Sequence, residues 1–69
     1  MKLLQLYYFK TLAESEHLLK TAKEMHLSPP GLSVAISRLE DELGCPLFDR
    51  IGRNIKLNEN GRIFYHHVK

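Results

Sequence analysis

The sequence predicts a mainly α fold, with three short helices, a small β-hairpin and the start of a fourth helix, and three observations predict it. Apolar residues recur every three or four positions through residues 3–13, 18–25 and 32–43, the spacing that lines up one face of a helix. The run Leu27-Ser28-Pro29-Pro30-Gly31-Leu32-Ser33 combines a cap residue with proline at the first helical position, where a missing N–H costs nothing. After Leu43-Gly44-Cys45-Pro46, two short segments with some apolar alternation flank Ile51-Gly52-Arg53, which supplies turn chemistry.

The first helix is expected from about residue 3 to residue 14. Leu3, Leu6, Phe9 and Ala13, with Leu12 beside them, form its apolar face, and Tyr7 and Tyr8 widen that face as packing residues. Ser15-Glu16-His17 breaks the pattern and starts a second helix with His17 near its cap. Leu18, Ala22 and Met25 repeat the apolar spacing there, while Lys20 and Lys23 project into solvent. Only residues 25–28 remain to turn the chain before the third helix, expected over residues 28–43.

In that third helix Leu32, Ile36, Leu39 and Leu43 face the core, and Pro30, Ser33, Val34, Ser37, Arg38 and Asp41 occupy the opposite face. Two helices joined by a short turn, the second capped and rich in small residues at its start, outline a helix-turn-helix. The same outline fits an αα-hairpin that only builds a core. Glu40-Asp41-Glu42, away from the helix N-terminus, reads as a solvated acidic face. Gly44 closes the helix and Pro46 prevents its continuation.

Leu47-Phe48-Asp49-Arg50 and Asn54-Ile55-Lys56-Leu57 then read as the two strands of a hairpin with a basic tip. Asn58 caps a helix beginning around Glu59, which continues through Ile63, Phe64 and Val68 to the end of the sequence without a stop signal. That pattern suggests a chain cut inside this helix. Its apolar residues have little domain left to pack against, which points to another subunit. Residues 1–57 are thus expected to form one domain and residues 58–69 the start of a linker and dimerisation helix.

A 69-residue chain hides only about 60% of the surface that its unfolded form exposes, so the core is expected to be small, marginal in stability and shared with a partner. The net charge is only +2, but residues 50–69 carry five basic groups against one acidic group, whereas residues 1–49 carry more acidic than basic groups. Contact with a polyanion would therefore involve the C-terminal third. The single Cys45 reads as a small apolar residue in a reducing compartment. With no long apolar run and no leader pattern, neither a membrane span nor an export signal is expected.

Three helices followed by a basic-tipped hairpin make a winged helix-turn-helix, in which each part has a task on duplex DNA. The slim start of the third helix suits the major groove. Ser28, Pro30, Ser33, Val34 and Ser37 let the backbone approach base edges there; Ser33 and Ser37 offer hydroxyls, and Pro30 and Val34 apolar contact only. Arg38 reaches toward the backbone, Arg53 at the hairpin tip toward the minor groove, and Arg50, Lys56 and Lys20 toward phosphates.

The same residues carry a resemblance. Leu6 with Phe9, then Ala22, then Leu27-Ser28-x-Pro30-x-Leu32-Ser33-x-x-Ile36-x-x-Leu39-Glu40-x-x-Leu43-Gly44-x-Pro46-Leu47-Phe48-x-Arg50, then Leu57-x-x-x-Gly61 resembles the N-terminal DNA-binding domain of LysR-type bacterial transcriptional regulators. The resemblance covers essentially the whole chain. It implies a winged helix-turn-helix whose last helix pairs two subunits, binding to pseudo-palindromic promoter DNA as a homodimer or tetramer, and a cytoplasmic, nucleoid-associated location. It also implies a small-molecule effector bound by a further domain that is absent from these 69 residues.

Three positions depart from the family pattern. Pro29 stands where a base-reading Gln is common, Val34 where Arg, Lys or Gln is common, and Leu19 where a phosphate-touching Ser or Thr is common. Base readout is therefore expected to be poor in hydrogen bonds and to lean on Ser33, Ser37 and groove shape.

An enzyme finds little support in the sequence. His17, His26, His66 and His67 are scattered and Cys45 has no companion at ligand spacing, so no metal, cofactor or catalytic set is expected. The competing function is a protein-interaction module built from the same helices, which would need no arginines on the hairpin and whose binding would not weaken steeply with salt.

Overall fold

The computed structural model describes residues 2–52 and 54–69. The elements run α1 (Leu3–Ser15), α2 (Leu18–Glu24), α3 (Pro29–Leu43), β1 (Phe48–Ile51), β2 (Asn54–Leu57) and α4 (Glu59–Val68). The two strands pair antiparallel, with Phe48 opposite Leu57, Asp49 opposite Lys56, Arg50 opposite Ile55 and Ile51 opposite Asn54. The first strand begins one residue later than the apolar pattern suggests and takes in Ile51, which the sequence assigns to the turn. Gly52, at φ 61°, supplies the left-handed conformation that the reversal needs.

The core forms where α1, α2 and α3 converge on the root of the hairpin. Phe9, Leu12, Leu32, Ile36, Leu39 and Leu47 are fully buried, with Ala22, Phe48 and Ile55 around them. Phe9 sits between two other rings, edge-on to Phe48 at 5.6 Å and tilted against Phe64 at 5.0 Å. One side chain of α1 therefore joins the hairpin and α4.

Two apolar expectations change here. The buried stripe of α1 is confined to Phe9, Leu12 and Ala13, with Leu6 and Tyr8 partly buried against the core. Leu3 is 84% exposed and Tyr7 58%, because the elements that bury α1 cover its C-terminal half. On α4, by contrast, Phe64, Tyr65 and Val68 pack against the core of their own chain. The sequence leaves this helix without a partner in its own chain, whereas the fold gives it one in α1 through the Phe9–Phe64 contact.

The turn between α1 and α2 is held by side chains. Ser15 Oγ accepts from the His17 amide at 3.1 Å and shares a 2.5 Å hydrogen bond with Thr21 Oγ1. This bond satisfies a hydroxyl that is wholly buried, where an unpaired one would destabilise the fold by roughly 1–3 kcal/mol. His17 occupies the cap position of α2, but its side chain makes no cap bond.

Candidate nucleic-acid interface

The start of α3 is built as its sequence requires. Ser28 is extended and its Oγ accepts from the Gly31 amide at 3.0 Å, while Pro29 takes the first helical position. Leu32, Ile36 and Leu39 turn inward. The outward side then carries Pro30, Gly31, Val34, Ser37 and Arg38, all exposed, with Pro29 and Ser33 half-buried. From Pro29 to Ser37 there is no charged residue, so the front of the helix is slim and neutral.

The hairpin stands against this helix. Arg50 Nη2 in β1 donates to Ser33 Oγ at 2.8 Å, which joins the wing to the side of α3 that the sequence nominates for contact. The bond uses one donor of the Arg50 guanidinium, leaving others for an anion. Lys56 is exposed on β2, opposite Asp49 in register. Lys20 is exposed on α2 and lines a shallow hollow with Leu19 and Asn54, so it flanks the second strand of the hairpin. Arg53, the expected basic tip, lies outside the described residues.

Ser33 and Arg50 are thus brought into contact. Pro30, Val34, Ser37 and Arg38 share one helix side with them, and Lys20 and Lys56 stand on neighbouring elements. The acidic residues Asp41 and Glu42 lie at the far end of α3 and are exposed.

Glu40 departs from the expected solvated face. Its Oε2 accepts from the Leu47 amide at 2.7 Å and from the Phe48 amide at 3.4 Å. A carboxylate on α3 therefore holds the root of β1.

Two further anchors set the wing. Glu16 ends α1 in the left-handed conformation at φ 55°, and its Oε2 accepts from the Leu57 amide at 2.8 Å. Asn58 caps α4 through Oδ1, which accepts from Gly61 N at 2.8 Å, while its Nδ2 donates to Pro46 O at 3.1 Å and its backbone amide to Leu47 O at 3.0 Å. These positioning roles of Glu16 and Glu40 are absent from the sequence reading. Glu40 had one local signal, its place directly after the buried Leu39; Glu16 had none.

Among the described residues, no helix is long and apolar enough to cross a membrane. Nor do any three His, Cys, Asp or Glu side chains come together as a metal site. The arrangement presents a neutral helix front, a guanidinium seated beside it and cations on the flanks, which suits a groove walled by phosphates.

The family model described as "Bacterial regulatory helix-turn-helix protein, lysR family" matches residues 3–62. The chain is 52% identical over 65 residues to the uncharacterized HTH-type transcriptional regulator YybE of Bacillus subtilis (strain 168), covering 94% of this chain and 22% of that protein. It is 39% identical over 69 residues to the RuBisCO operon transcriptional regulator of Allochromatium vinosum, covering 100% of this chain and 23% of that protein. It thus spans between a fifth and a quarter of the length of these two relatives.

Among solved structures, the BenM DBD complex with catB site 1 DNA superimposes with a TM-score of 0.90 at 35% identity, over 99% of this chain and 73% of that one. The CbnR DBD–DNA complex gives 0.91 at 34% identity, over 99% and 78%. With its winged helix-turn-helix architecture and a family match over nearly its whole length, this chain belongs to the lysR family of bacterial regulatory helix-turn-helix proteins.

Proposed function

We propose that this chain is the DNA-binding unit of a transcriptional regulator. Residues 1–57 form the binding domain, with the front of α3 in the major groove of promoter DNA and the wing beside it. Ser28, Pro29, Pro30, Ser33, Val34 and Ser37 face the groove, and Lys20, Arg38, Arg50, Arg53 and Lys56 serve the phosphates and the adjoining minor groove.

Residues 58–69 begin a linker helix through which two copies pair. A small-molecule effector would act through a separate domain of the whole cytoplasmic regulator, and the unit itself performs no catalysis.

The observation that carries this reading is the Arg50–Ser33 contact, which fixes a cation of the wing beside the neutral face of α3. The DNA complexes of the similar BenM and CbnR domains support it.

Titration of the chain against mixed-sequence duplex DNA at several salt concentrations tests it. Binding should be present at low salt and fall linearly on a log–log plot against salt. Arg50→Ala should weaken it on all sequences alike and reduce the slope by roughly 0.9 for one lost phosphate contact. Indifference to both salt and Arg50 would overturn the reading in favour of a protein-interaction module.

A further inference from the structure

We propose that Val34, with Pro30 one turn before it, discriminates base sequence by packing on the 5-methyl group of a thymine in the major groove; this rests on the DNA-binding reading above. On α3 the large aliphatic residues Leu32, Ile36 and Leu39 are buried, yet Val34 is 50% exposed in the middle of the outward side. Pro30, four residues earlier, is exposed as well. Residues at that spacing are neighbours on a helix surface, so the two form one apolar patch.

The chemistry around the patch narrows what it recognises. Readout of guanine or adenine by paired hydrogen bonds takes Arg, Lys, Asn or Gln, and readout of cytosine takes a carboxylate. None of these residues occurs from Pro29 to Ser37. Of the hydroxyls from the cap to Ser37, Ser28 Oγ accepts from Gly31 N and Ser33 Oγ from Arg50; Ser37, exposed three residues beyond Val34, offers a single hydroxyl, which can bond to several bases and so discriminates poorly among them. The one apolar group on the major-groove edge of the unmodified bases is the thymine methyl. A neutral patch with no hydrogen-bonding head has that group to select.

The test separates this inference from its parent. Duplexes enriched by the chain from a randomised library are resynthesised with deoxyuridine in place of thymine, one position at a time. The change deletes the methyl and leaves every hydrogen-bonding group in place.

At one or two thymines the loss should weaken binding about fourfold, the fold-change for one buried methylene-sized group. Val34→Ala should abolish the thymine–deoxyuridine difference at one of them, whereas Val34→Thr, which keeps a methyl, should retain it. Val34 is half-exposed, so neither variant removes a core contact. Tight, sequence-selected binding with no sensitive thymine, or the full difference persisting in Val34→Ala, would overturn the inference and leave the DNA-binding reading intact. No salt-dependent duplex binding at all would overturn both.

Discussion

Gly61 shows how far one side chain governs this fold. A Cβ at that position would overlap the Leu47 carbonyl oxygen and Leu57 Cδ1, so glycine is what allows α4 to lie against the root of the wing. Inside an ordinary helix, replacing Gly with Ala gains roughly 0.5–1 kcal/mol. Here the sign should invert: Gly61→Ala is expected to destabilise by about 1–3 kcal/mol through overpacking. Thermal unfolding should register that as a drop of several degrees, since about 1 kcal/mol moves the midpoint by about 4–8 °C in a domain of this size. An unchanged or raised midpoint would refute the packing assigned to Gly61.

Tyr65 gives a second effect at the same scale. Its hydroxyl donates to Glu14 Oε2 at 2.7 Å. The hydrogen bond to that carboxylate, with lesser help from desolvation and from the negative charge itself, holds the phenol above its ordinary value of 10.0. The neutral phenol is thus favoured in the folded chain, so this contribution is present below the ordinary value and is lost as pH rises through the elevated one. In an ultraviolet titration, Tyr65→Phe should remove a late phenolate component, and Glu14→Ala should bring that component to lower pH.

The wing is a two-stranded element, and an isolated two-stranded hairpin is marginal in water. Its position depends on captured backbone groups: Glu40 takes the amides before and at the start of β1, Glu16 takes the amide at the end of β2, and Asn58 spans from the cap of α4 to the loop before β1. Glu40→Ala is expected to cost about 1–3 kcal/mol by leaving the two amides unpaired. Glu40→Gln, which keeps an acceptor oxygen, should lose less. Denaturant melts of the two variants give the comparison, and equal losses would assign Glu40 a role through charge alone.

The elements differ in how legible they are in the sequence for the same physical reason. Helix α3 is written locally, with Ser28 and Pro29 at one end and Gly44 at the other, and its boundaries follow from those residues. The wing is nearly as legible, but the buried Leu47 precedes the strand because Glu40 rather than a facing strand binds its amide. The extent of the apolar stripe on α1 is not legible, since periodicity marks a face without marking how far its neighbours reach. Glu16 and Leu57 are 41 residues apart, and no local pattern joins them. At the interface, the neutral front of α3 and the candidacy of Arg50 are readable from residue types; the seating of Arg50 on Ser33 requires the fold.

At the scale of the molecule, the apolar surface that α1 leaves uncovered lies beside α4. Leu3, Leu6 and Tyr7, which periodicity places on the apolar face of α1, line an open groove together with Leu4, Phe64 and Val68. The core therefore continues outward into a face that a second copy would cover in the homodimer proposed above. Pairing matters for binding because one winged unit reaches a single half-site, whereas two joined units gain through effective concentration. Leu3 is the most exposed of these large apolar side chains, so Leu3→Glu should leave the monomer's stability within about 0.5 kcal/mol. The same change places a charge in the paired face. Sedimentation should show self-association at high concentration for the unaltered chain and a marked loss in Leu3→Glu. Affinity for a duplex with two half-sites should fall with it, while affinity for a single half-site stays the same. Equal self-association in both chains would place the contact between copies elsewhere, and equal losses on one and two half-sites would show Leu3 acting inside the monomer.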